Sequence, residues 1–130
     1  MTTRTDENNV IITKMTMQLL DEWGLESKQI IQLLALPGNT RTRHLEKFRN
    51  GDAFPMNKTT MSRIEHIAGI ADALRTTYPR NTQMGSRWLH TPHRRFRNNT
   101  PIETMLKSDT GLLRVRSELD CAYAWDRSGS

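Results

Sequence analysis

Ser27-Lys28-Gln29-Ile30-Ile31-Gln32-Leu33-Leu34-Ala35-Leu36-Pro37-Gly38-Asn39-Thr40-Arg41-Thr42-Arg43-His44-Leu45-Glu46-Lys47-Phe48-Arg49-Asn50-Gly51 decides the fold. An apolar helix leads into a turn of Pro, Gly and Asn, and a second, basic helix follows. That order is the layout of a helix-turn-helix unit. In the second helix Leu45 and Phe48 stand three residues apart and face the core, which leaves Arg41, Arg43, His44, Lys47 and Arg49 on the outer arc.

The same helical period continues on both sides of this stretch. Ile12, Met15, Leu19 and Trp23 recur every three to four residues, as do Met61, Ile64, Ala68, Ala71 and Leu74, and then Leu112, Val115, Leu119 and Ala122. The spacing predicts helices over 9–23, 27–36, 41–50, 57–77, 82–90, 101–108 and 110–125, and strand alternation of useful length is absent. Helix breakers fall between the periods at Gly24, Pro37-Gly38-Asn39, Gly51, Pro55, Pro79 and Pro92. Thr100-Pro101-Ile102-Glu103 supplies a cap hydroxyl, a proline at the first helical position and a glutamate that closes a capping box. The class is all-α. Pro79 interrupts the fourth helix and marks a seam, so residues 1–78 form an N-terminal helix-turn-helix bundle and residues 79–130 a small C-terminal helical domain.

Composition narrows the function. A chain of 130 residues with 35% hydrophobic and 25% charged side chains is too short for a multi-domain enzyme. Its longest apolar run, 30–36, is interrupted by Gln32 and falls far short of the roughly 20 residues a membrane span needs. The polar N-terminus has no signal-peptide core, so a cytoplasmic location is expected. Cys121 stands alone and can form no internal disulfide; with His90 and His93 flanking Pro92 and no acid in that block, no metal site is expected. No phosphate cradle, nucleophile elbow or cofactor motif occurs, so catalytic residues and cofactors are not expected either.

The net charge of +5 is informative through its placement. Residues 1–39 carry three basic and five acidic side chains, whereas residues 40–63 carry six basic and two acidic ones. A recognition helix presents its N-terminal residues to the major groove, which assigns Asn39, Thr40, Arg41, Arg43 and His44 to base edges. Arginine can bond guanine with both arms and asparagine can do the same to adenine. Lys47, Arg49 and Lys58 suit phosphates. A second basic block, 87–97, holds Arg87, Arg94, Arg95 and Arg97 without an acid. The apolar face of the fourth helix exceeds what one small bundle needs, and two-fold operators favour paired readers, so a homodimer is expected.

Residues 27–51 resemble the Xre-type helix-turn-helix of bacterial repressors at Leu36, Leu45, Phe48 and Gly51, with a longer turn. The C-terminal half is more specific. Arg87-Trp88-Leu89-His90-Thr91-Pro92, then Thr100-Pro101-Ile102-Glu103-Thr104-Met105-Leu106, then the helix led by Gly111-Leu112-Leu113 resemble the toxin-binding domain of the Xre/MbcA/ParS antitoxin family, with Asn98-Asn99 where that family commonly has glycine. The resemblance implies a type II antitoxin that binds operator DNA through its N-terminal half and a cognate toxin through its C-terminal half. It further implies a RES-domain toxin that consumes NAD. Bottom-up, Tyr123 and Trp125 are large amphipathic anchors near a terminus, with Arg127 beside them, and are the expected toxin contacts. Trp88 is expected in the core. The competing reading is a free-standing Xre-family transcriptional regulator whose C-terminal domain only oligomerises.

Overall fold

The computed structural model describes the backbone of residues 4–127 and the side chains of residues 6–81 and 83–121. Seven α-helices run in order among them: α1 (Arg4–Glu22), α2 (Ser27–Leu33), α3 (Leu45–Arg49), α4 (Lys58–Thr77), α5 (Thr82–Leu89), α6 (Pro101–Lys107) and α7 (Asp109–Arg127). Two 3-10 turns, Thr42–His44 and Arg94–Phe96, complete the set, and no strand occurs among the described residues. The all-α expectation holds. By its contacts the chain divides into two compact units, Met1–Ile64 and Glu65–Ser130, whereas the seam read from Pro79 lies further along the chain.

In the N-terminal unit the core is built from Met17, Leu20, Trp23, Leu25, Ile30, Leu33, Leu34, Leu45, Phe48 and Phe54. Helix α1 ends where Gly24, at φ 74°, takes the left-handed conformation a side chain resists. The Gly24 and Leu25 N–H groups then donate to the Asp21 and Leu20 carbonyls and close the helix end. Helix α2 ends in the same way, but with Ala35 at φ 52° in the glycine place, its N–H donating to Gln32 O and that of Leu36 to Ile31 O. Arg63 adds to this end, donating from Nη1 to Gln32 O and Leu33 O at 3.2 and 3.1 Å. The expected extension of α2 to residue 36 is therefore cut short by a left-handed alanine.

Two further expectations are corrected in phase. Ile12 and Met15 are exposed, and the inner face of α1 carries Thr13, Thr16, Met17 and Leu20 instead. Thr13 is fully buried because its hydroxyl donates to Asn9 O and accepts the Phe54 N–H at 2.9 Å, tying α1 to the segment after α3. On α4 the buried positions are Thr60, Ile67, Ile70, Ala71, Ala73 and Leu74, while Met61 is more than half exposed. Thr60 donates its hydroxyl to Leu34 O at 2.9 Å, so a polar residue anchors this face too.

The C-terminal unit centres on Ile67, Ile70, Leu74, Leu89, Phe96, Ile102, Met105, Leu112, Val115 and Leu119. Helix α6 starts at the expected capping box: Thr100 Oγ1 accepts the Glu103 N–H, and Glu103 Oε1 accepts the Thr100 N–H, both at 3.0 Å. One extended residue, Ser108, separates α6 from α7, and its hydroxyl accepts the Gly111 N–H. A methyl at Gly111 would run into the Thr104 carbonyl oxygen, so glycine is what lets the two helices meet this closely.

Candidate functional site

The basic helix of the N-terminal unit begins as a 3-10 turn, Thr42–His44, and only Leu45–Arg49 is α-helical. The cause is local. The Arg41 N–H donates to His44 Nδ1 at 2.9 Å and the Arg41 carbonyl accepts the His44 N–H, so the first turn closes tightly on itself. His44 is thereby a capping residue that offers only its other nitrogen outward.

Two grooves flank this turn and share Thr40. One, of about 500 Å³, is lined by Lys28, Ile31, Thr40, Arg41, Thr42 and Arg43. The other, of about 680 Å³, contains Asn39, Thr40, His44 and Lys47 together with Asp52. Six of the eight residues assigned to nucleic acid are thus brought together around one short element. Asn39, Arg41, Arg43 and Lys47 are exposed; Thr40 and His44 are half-buried. Lys58 is exposed but lines neither groove.

Arg49 is differently placed. Its Nε and Nη2 donate to the two oxygens of Asp21, both at 2.9 Å, and its Nη1 donates to Glu46 at 2.8 Å. The hydrogen bond to Asp21, and after it the nearby charges, hold its proton even more firmly than usual. Two carboxylates already neutralise this guanidinium, which fastens α3 to α1.

The second basic block folds into a clip. The His93 N–H donates to Asn99 O, the Asn98 N–H donates to His93 O, and Arg97 and Asn98 both take left-handed angles, φ 56° and 65°. Asparagine tolerates such angles better than most residues, which explains Asn98 near the place where the related pattern has glycine. Phe96 is buried beneath the clip, edge-on to Trp88 at 6.1 Å, and His93 lies over Trp88 at 5.1 Å while its Nε2 donates to Trp88 O at 3.1 Å. Trp88 itself is half-buried, not a core residue, because it forms the outer wall on which His93 rests; Leu89 beside it is the fully buried one. His93 is a packed residue and Cys121 is exposed, and no group of three potential metal ligands exists among the described residues. Arg95 pairs with Glu118 at 3.0 Å and its carbonyl accepts a hydrogen bond from Arg114, whose guanidinium lies 5.8 Å from the centre of the Phe96 ring. Tyr123, Trp125 and Arg127 fall on the backbone of α7, but their side chains lie outside the described residues.

The N-terminal unit thus carries a basic face, and the C-terminal unit a helix, a clip and a tight helix corner. Residues 73–122 match the family of the antitoxin Xre/MbcA/ParS C-terminal toxin-binding domain, which takes in the end of α4, α5, the Trp88–His93 stack, the capped α6 and most of α7. The match is confined to that stretch of the C-terminal half. No curated protein matches the chain. The clip was the feature the sequence did not announce: Arg94–Phe96 has no helical period, and its order comes from Phe96 and His93 packing on Trp88. The spacing of aromatic residues at 88, 93 and 96 was its only signal.

Proposed function

We propose that this antitoxin neutralises a toxin encoded beside it through its C-terminal unit and represses its own operon by binding operator DNA through its N-terminal unit. The observation that carries the reading is the match of residues 73–122 to an antitoxin toxin-binding domain. DNA binding is supported by the clustering of Asn39, Thr40, Arg41, Arg43, His44 and Lys47 around the 3-10 turn and α3, with Lys58 as a further phosphate contact. Among the described residues Arg41, Arg43, Lys47 and Lys58 hold no ion pair, so their charge is available to phosphates or bases. Arg49, spent on Asp21 and Glu46, leaves the list of contacts. The toxin is a RES-type NAD-consuming enzyme, which the sequence resemblance supports, and Tyr123, Trp125 and Arg127 reach its active-site entrance. The protein acts as a homodimer, because two-fold operators reward paired readers. Ala71 and Leu74, expected on the dimer face, are buried within the C-terminal unit; among the described residues of the N-terminal unit, Ile11, Ile12, Met15 and Met61 are the exposed large apolar side chains.

Co-expression with the product of the adjacent gene tests the reading. Copurification, restored growth and loss of NAD consumption by that product are expected. An adjacent product that is harmless alone and does not bind would leave a free-standing regulator.

A further inference from the structure

A groove of about 280 Å³ lies where the clip meets the corner between α6 and α7, and three cations line it: Arg97, Lys107 and Arg114. No acid is among its lining residues, although Glu103 stands one turn before Lys107 and Asp109 lies between the lining residues Ser108 and Thr110. Arg95, the neighbouring cation, is taken by Glu118.

We propose that this cleft receives an acidic side chain of the bound toxin, so that a carboxylate contact adds to whatever the C-terminal end of α7 supplies. The inference rests on the antitoxin reading above. Three features argue for it. Arg114 is preset, since one arm donates to Arg95 O and its plane rests by Phe96, so little freedom is lost when it accepts a partner. Arg97 is held in place by its left-handed backbone inside the clip, and Lys107 projects from the last turn of α6. Several backbone amides around the cleft are already engaged: those of Arg97, Asn98 and Asn99 donate within the clip, and those of Gly111 and Leu112 donate to Ser108. A cleft whose charge comes from side-chain cations suits a carboxylate that a partner protein positions by its own fold.

Amide NMR on the full chain at fixed ionic strength tests this, with three probes: N-acetylated tetraglutamate, inorganic phosphate and a short DNA duplex. Saturable shifts with tetraglutamate at Asn99, Ser108, Thr110 and Gly111 are expected. They should weaken about tenfold in the double variant Arg97→Asn/Lys107→Gln and stay unchanged in Arg94→Gln. Asparagine suits the left-handed position and residue 107 is exposed, so the double variant should fold, which its thermal midpoint verifies. Shifts spread equally over Arg41 and Arg43, a stronger response to phosphate, or the duplex occupying these amides would each overturn the proposal. A second arm measures affinity for the adjacent-gene toxin, and the double variant should bind about tenfold more weakly. Equal binding by wild type and double variant sinks the cleft and leaves the antitoxin reading standing; a wild-type chain that binds no toxin sinks both.

Discussion

Ala35 is an L-residue doing a glycine's task at the end of α2. The left-handed angle costs such a residue roughly 1–2 kcal/mol, partly offset by the lower entropy of alanine in the unfolded chain. Ala35→Gly should therefore raise stability by about 0.5–1 kcal/mol, read as a higher denaturant midpoint at unchanged slope. Gly111→Ala should do the opposite, by about 3 kcal/mol, because the added methyl forces α6 and α7 apart at Thr104. Glycine at 24 announced its helix end in the sequence, whereas alanine at 35 could not, since alanine has no local preference for a left-handed angle. Arg49 was illegible for a related reason: its partner Asp21 lies 28 residues away. Here the prediction separates two cations on one helix. Lys47→Ala should lower the salt dependence of DNA binding by about one counterion, and Arg49→Ala should leave that slope unchanged. A fall in slope for Arg49→Ala in a salt titration would return it to the DNA face.

Among the elements, α6 was the most legible, since its whole start signal lies within four residues. Thr100→Ala should cost about 1 kcal/mol of stability in chemical denaturation. Glu103 is held below the usual carboxylate range, first by the Thr100 backbone N–H and then by the Thr100 hydroxyl. A carboxyl that ionises more readily folded than unfolded adds stability above its unfolded value and loses it as the pH falls through the folded one. Thermal midpoints of wild type and Glu103→Gln should thus differ at neutral pH and converge as the pH drops below about 4. Equal midpoints across the whole range would mean that the charge contributes nothing to the cap. Helices α1 and α4 were legible as helices but not in phase. Each carries apolar residues on more than one side, and the deciding inner residues, Thr13 and Thr60, are polar groups satisfied by Phe54 N–H and Leu34 O, distant partners that no local period reveals. Helix α3 was foreseen as a longer α-helix because its tight start depends on the His44 side chain bonding back to Arg41.

For the whole molecule the two activities should be separable. The triple variant Arg41→Ala/Arg43→Ala/Lys47→Ala should lose operator affinity while still copurifying with toxin, and removal of residues 123–130 should abolish protection from toxin while operator affinity, measured by gel shift, persists. Loss of both activities in either variant, with the fold intact by circular dichroism, would refute that division. The all-α class and the likeness to an antitoxin toxin-binding domain were legible because period, caps and the Trp-Leu and Thr-Pro-hydrophobic-Glu motifs are short-range. The division between Ile64 and Glu65 was not, since it falls inside the unbroken helix α4, which runs on through Gly69. The hydroxyl of Thr13 carries one further consequence. Phe54 lies outside any helix, yet its amide proton is buried and held by a residue on α1, 41 positions away. Amides in such connecting segments ordinarily trade with deuterium in local flickers, but this one must wait until α1 lifts away. Its exchange rate is therefore a built-in gauge of how often the N-terminal unit comes apart as a body, reporting from within a loop the stability that other proteins disclose only through their central helices.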